Sequence, residues 1–122
     1  MMRVCSLLLL LTAALTGCRN DSEVKPVDAP GDRDRGRIAL TQYACHACHT
    51  IPGIAGSNVA VGPSLAGMGS RTLIAGKLPN TSDNMMRFIR WPQEVDPGNA
   101  MPDMGVSEQH ARDMIAYLES LK

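Results

Sequence analysis

Apolar residues recur at helical spacing in three stretches of this 122-residue chain, and these stretches predict its main helices. In the first, from about Arg33 to Tyr43, Gly36, Leu40 and Tyr43 fall at i, i+4 and i+7 on one face. The second has Thr81 as N-cap and Asp83 in its first turn, where a carboxylate favours the helix dipole. It carries Met85, Phe88 and Ile89 on one side and is stopped by Pro92. The third follows Ser107, another N-cap candidate, with Ala111, Met114, Ile115, Leu118 and Leu121 as its apolar stripe. Glu108 and Arg112 form an i, i+4 pair on its wet side, and His110 is expected to be exposed. No alternating pattern long enough for a substantial strand is present, so the expected fold class is all-α.

The connections are long for so small a domain. Ile51 to Pro79 holds Pro52, Gly53, Gly56, Gly62, Pro63, Gly67, Gly69 and Gly76, which leaves little room for regular structure. Loops of this length persist when they enclose something large. Composition points the same way: Tyr43, Phe88, Trp91 and Tyr117 are the only aromatic residues, too few for a dense core of side chains alone.

The first twenty residues concern destination rather than fold. Arg3 precedes an apolar run from Leu7 to Leu15, too short to cross a bilayer comfortably, and small residues follow, as in an export signal. Its end, Leu15-Thr16-Gly17-Cys18, resembles a bacterial lipobox, which implies a signal peptide over residues 1–17 and lipid modification of Cys18. An ordinary cleaved signal with an incidental cysteine is the alternative. Residues 18–32 are polar and carry Pro26, Pro30 and Gly31, the composition of a flexible tether with an end-to-end distance of about 20 Å. One small domain, residues 33–122, remains. Its expected location is the bacterial periplasm, anchored to the membrane through Cys18.

Between the first helix and the long loops stands Cys45-His46-Ala47-Cys48-His49. Two cysteines spaced by two residues, with histidine directly after the second, form the attachment motif of a c-type haem. The thiols lie about one helical turn apart, so both can add to vinyl groups on one porphyrin edge while His49 offers its imidazole to the iron. A disulfide, a zinc site and a redox dithiol are competing chemistries for such residues. The zinc reading lacks a second ligand pair, because His110 is the only later Cys or His. The dithiol reading leaves His49 and the methionine-rich C-terminal half without a role. His46 fills a variable position of the motif and is expected at the surface.

From Gly36 to Leu121 the chain resembles a class I cytochrome c. The stretch Gly62-Pro63-Ser64-Leu65-Ala66-Gly67, followed by Arg71, is similar to that family's Gly-Pro-x-Leu-x-Gly segment ending in arginine. The resemblance implies that the Pro63 carbonyl accepts a hydrogen bond from the ligand histidine, that Leu65 packs on the ring and that Arg71 reaches a propionate. An imidazole bonded through its second nitrogen is held in orientation and is a stronger donor to metal. Farther on, Phe88-Ile89-Arg90-Trp91-Pro92-Gln93-Glu94-Val95-Asp96-Pro97-Gly98-Asn99-Ala100-Met101 is similar to the mitochondrial run that ends in the ligand methionine. The stretch Met101-Pro102-Asp103-Met104-Gly105 resembles the methionine-proline form of small bacterial members. Both similarities imply Met101 as second axial ligand, with Phe88 and Asn99 among the haem contacts. Met68, Met85, Met86, Met104 and Met114 are rivals in principle, and Met104 is the serious one.

The resemblance thus implies a cytochrome c fold of three main helices and long loops around one covalently attached haem c, acting as an electron carrier rather than an enzyme. Membrane-bound redox proteins are the expected partners: an upstream quinol-oxidising complex and a terminal oxidase. If Met101 does not bind iron, the open sixth position suits gas binding, sensing or peroxidase-like chemistry instead. The departures matter as well. Where the mitochondrial proteins place docking lysines, this chain has Gln93, Glu94 and Ala100, and that family's propionate-bonding tryptophan is missing. From Gly36 onward seven basic and seven acidic side chains leave the polypeptide neutral. Such a domain has little long-range field for steering, and nucleic acid is not an expected partner.

Overall fold

A computed structural model describes residues 30–122. The expected export signal, the expected lipidation site Cys18 and the expected tether as far as residue 29 lie outside the described residues. The elements are α1 (Arg33–Gln42), a short hairpin of β1 (Leu73–Ile74) and β2 (Leu78–Pro79), α2 (Ser82–Arg90), α3 (Pro92–Val95) and α4 (Glu108–Glu119). Single 3-10 turns occur at Cys45–Ala47 and Met68–Ser70. The hairpin is antiparallel, with Leu73 opposite Pro79 and Ile74 opposite Leu78.

The three main helices begin where their polar caps dictate. Asp32 accepts from the Arg35 N–H at 2.8 Å, Thr81 from Asn84 at 3.2 Å and Ser107 from His110 at 3.2 Å, each satisfying an amide that the first helical turn leaves unpaired. Pro92 ends α2 as expected, but it also opens α3, where proline at the first helical position loses no hydrogen bond. Periodicity could not reveal a helix of four residues.

The principal packing is α1 against α4. A Cβ at Gly36 would lie 1.9 Å from the Asp113 carbonyl oxygen, so the two backbones cross at a separation only glycine permits. Ala39 and Leu40 of α1 join Ala111, Met114, Ile115, Tyr117 and Leu118 of α4, while Met85 and Ile89 of α2 close the cluster. Ile51, Ile54, Met68 and Ile74 from the long connection complete it. Among the described residues Tyr117 is the only buried aromatic, with its hydroxyl donating to the Pro52 carbonyl at 2.6 Å. Glycine is also required at position 69, whose N–H donates to Leu121 at 2.8 Å and whose Cβ would lie 2.0 Å from the Glu119 carbonyl oxygen.

One charged group is buried at the helix crossing. The carboxylate of Asp113 receives the Asp32 N–H at 2.8 Å, Arg35 Nε at 2.9 Å and Arg35 Nη2 at 2.8 Å. Gln109 Nε2 adds a longer bond at 3.2 Å. Gly31 packs on the Arg112 carbonyl, so α4 engages the chain before α1 begins. Burial pushes the Asp113 carboxyl up, but the Arg35 guanidinium and the amide donors outweigh it and hold the group below the ordinary carboxylate range.

A carboxyl lowered by folding contributes stability above its unfolded value and loses it as pH falls through the folded value. Asp113→Asn should therefore cost about 2–3 kcal/mol at neutral pH, the range for a buried, charge-assisted pair that loses one charge. The difference between variant and wild type should shrink below about pH 4. Denaturant unfolding at several pH values measures both effects.

Candidate haem-binding site

The chain leaves α1 through Ala44, which adopts a left-handed conformation (φ 53°), and enters the Cys45–Ala47 turn. Cys48 N–H and His49 N–H both donate to the Cys45 carbonyl, at 3.2 and 3.0 Å, winding the motif into a compact bend. Cys45 and Cys48 are free thiols, each half-buried. Burial pushes the Cys45 thiol up; its own backbone hydrogen bond opposes this and neighbouring Cys48 adds to it, so the thiol is neutral at physiological pH.

His49 is oriented by the long loop. Its Nδ1 lies 2.7 Å from the Pro63 carbonyl oxygen. A carbonyl only accepts, so Nδ1 carries a proton, and in the neutral ring the lone pair lies on Nε2. The two segments run side by side through Thr50 Oγ1 to Val59 O at 2.8 Å, Gly62 N to Cys48 O at 2.7 Å and Leu65 N to Thr50 O at 2.8 Å. A Cβ on Gly62 would fall 2.6 Å from His49 Cε1 and 2.8 Å from Nδ1. Glycine at 62 therefore lets the loop close over the imidazole.

Leu65 is half-buried against the core. Arg71 is exposed, and its Nη2 donates to the carbonyls of Ser64 at 2.5 Å and Ala66 at 3.0 Å, drawing the end of the loop back on itself. Asn80 Nδ2 bonds the carbonyls of Met68 and Arg71 at 2.8 and 2.9 Å, fixing the same segment from the other side. Phe88 lies half-buried on α2.

Met101 is half-buried in the irregular segment after α3. Asn99 Oδ1 accepts the Met101 N–H at 2.7 Å, while Asn99 Nδ2 donates to the carbonyls of Pro92 and Asp96 at 2.9 and 2.6 Å. Met68, Met85 and Met114 are buried in the core, Met86 packs against it, and Met104 is 41% exposed.

Thus Cys45, Cys48, His49, Pro63 and Leu65 are brought together by one turn and the loop laid against it. Asn99 and Met101 share the segment beyond α3, and His110 lies elsewhere, on the exposed side of α4 with its Nδ1 3.0 Å from the Tyr43 hydroxyl. His46, expected at the surface, is half-buried, with its Nδ1 shielded and without a hydrogen-bond partner. Among the described residues no three His, Cys, Asp or Glu side chains are grouped to hold a metal ion. Two free thiols beside an imidazole with one nitrogen already spent form a donor set that suits a covalently attached metalloporphyrin.

The family model described as Cytochrome c matches residues 34–122. The chain belongs to the cytochrome c family. This cytochrome c is 36% identical over 106 residues to cytochrome c2 of Rhodopila globiformis, a match that covers 76% of this chain and 96% of that protein. It is 38% identical over 90 residues to cytochrome c oxidase subunit 2 of Alkalihalophilus pseudofirmus, covering 73% of this chain and 25% of the subunit. For the same subunit of Bacillus sp. PS3 the identity is 31% over 88 residues, covering 69% of this chain and 25% of that protein. The chain thus spans about a quarter of the oxidase subunits it matches. Family membership shows the expected cytochrome c fold and implies covalently bound haem c.

Gln93 was missed in the sequence, where it registered only as the absence of a docking lysine. Its side chain bonds the backbone of the Met101 segment, and no periodicity or motif marks that role.

Gly62→Ala should push the loop off His49, because the added methyl meets the ring rather than a flexible chain end. A loss of about 1–3 kcal/mol in denaturant unfolding is expected. Val61→Ala, at a residue 75% exposed, should be nearly neutral.

Proposed function

We propose that this protein carries one haem, bonded through Cys45 and Cys48 and ligated by His49 Nε2 and the Met101 sulfur, and shuttles electrons toward a terminal oxidase from a lipid anchor at Cys18. The observation that carries this reading is the hydrogen bond between His49 Nδ1 and the Pro63 carbonyl, 2.7 Å long, one residue beyond the paired thiols. It leaves one ring nitrogen as a donor of defined direction, which a surface histidine has no need of. When bound, the haem supplies a one-electron ferrous–ferric couple.

The remaining work belongs to the chain. Gly62 and Pro63 keep the imidazole from rotating. Leu65 and Phe88 would supply apolar contacts to a bound haem and keep water from it, and burial together with methionine ligation would favour a relatively high potential. Arg71 spends Nη2 on the Ser64 and Ala66 carbonyls, so its other N–H groups are the ones suited to a propionate. Asn99 acts through the backbone by holding the Met101 N–H.

The likeness to two cytochrome c oxidase subunits supports an oxidase as electron acceptor, and a quinol-oxidising complex is the matching donor. A neutral domain gains little from steering. The anchor supplies encounter instead, since confining carrier and partner to one membrane surface raises their effective concentration. No helix among the described residues is long and apolar enough to cross a membrane.

Met101→Ala tests the ligand set against the open-site alternative. The ferric wild type should show the weak sulfur-to-iron charge-transfer band, and the ferrous wild type should not bind carbon monoxide. The variant should lose the band, fall in potential and bind carbon monoxide. Ready binding by the wild type, unchanged in the variant, would favour the gas-binding or peroxidase-like reading. Loss of the band in Met104→Ala alone would transfer the role to that residue.

A further inference from the structure

We infer that Gln93 is a positioning residue for the Met101 sulfur, an inference that rests on the reading of Met101 as iron ligand. Gln93 is an exposed side chain on a helix of four residues, yet three of its hydrogen-bonding positions are committed to one bend of the backbone. Its Nε2 donates to the Asn99 carbonyl at 2.8 Å and to the Met101 carbonyl at 2.9 Å. Its Oε1 accepts the Gly98 N–H at 3.1 Å. The bend between turns at Gly98, whose φ of +83° suits glycine.

Together with Asn99 this makes a closed frame. The Met101 N–H is held by one side-chain amide and the Met101 carbonyl by another, in a segment with no helix or strand to hold either. Asn99 is itself tied to the Pro92 and Asp96 carbonyls at the two ends of α3. The short helix, too brief to be stable alone, is thereby welded to the bend it positions.

The consequence for the ligand is entropic. Methionine is flexible, with three rotatable side-chain bonds, and a neutral thioether is a weak donor compared with imidazole. A backbone fixed on both sides of the Met101 Cα removes the freedom that sulfur coordination would otherwise have to freeze. Removing Gln93 should leave the sulfur able to bind but easier to displace.

Competition with exogenous imidazole for ferric iron measures this directly. In Gln93→Met, which keeps the bulk and deletes the donors, imidazole should bind about tenfold or more tightly than to wild type, corresponding to the loss of one or two net hydrogen bonds. The charge-transfer band should weaken at lower temperature than in wild type. Gln93→Glu, of the same shape but without the Nε2 donors, should behave alike and serves if the first variant folds poorly. Thr81→Ala, which removes the α2 cap, lowers stability without touching this frame and should leave imidazole affinity at the wild-type value.

Wild-type imidazole affinity in both Gln93 variants, with the band still abolished by Met101→Ala, overturns the positioning role and leaves the ligand assignment standing. A parallel rise in Thr81→Ala also overturns it, by showing that general loosening suffices. A band that survives Met101→Ala overturns both readings.

Discussion

The close crossing of α1 and α4 at Gly36 is the constraint on which the rest of the molecule depends. With a Cβ excluded there by the Asp113 carbonyl, the two helix backbones come near enough for Arg35 and the Asp32 N–H to reach the buried Asp113 carboxylate. That pair anchors α1, the first helix of the described residues, to α4, the last. The segment from Tyr43 to Ser107 then becomes a closed excursion between the two packed helices, beginning at Cys45–Ala47 and returning through the Met101 segment. A domain with one buried aromatic has little mass with which to hold such an excursion by packing. It uses hydrogen bonds from side chain to backbone instead.

Those bonds fall into two sets that serve the two proposed axial ligands. The first fixes His49 through the Pro63 carbonyl and the contact with Gly62. The second fixes Met101 through Asn99 and Gln93. Such bracing favours electron transfer in which ligands stay bound in both oxidation states, because little of the surroundings has to move when iron changes charge. Stability and the proposed redox function draw on the same contacts, so substitutions in the connections should seldom affect one alone.

Features carried by local rules were legible in the sequence. Helix starts followed from Thr81 and Ser107 as caps, buried faces from the spacing of Leu40, Met85, Ile89, Met114 and Leu118, and the haem motif from residues adjacent in the chain. The features that escaped depend on distant partners. Gly36 was readable as a core-face residue, but its contact with Asp113 joins opposite ends of the domain. Asp113 itself, on a helix with an apolar stripe, carried no sign of being a buried anion. Gln93 looked like a missing lysine because its partners are backbone atoms, which have no signature in a sequence. His46 was expected outside because its motif position is variable, whereas it is half-buried with its Nδ1 shielded.

Covalent attachment of haem at the Cys45–His49 turn is the central claim, and every functional inference above stands on it. The most direct test is acid-acetone extraction of protein produced with a cytochrome c maturation system, followed by a pyridine haemochrome spectrum and mass analysis of the peptide containing Cys45 and Cys48. Colour that stays with the protein, a spectrum with both vinyl groups saturated and a mass increase of one haem on that peptide are the predicted results. Colour extracted entirely into the solvent, with both cysteines recovered as free thiols, would contradict the account.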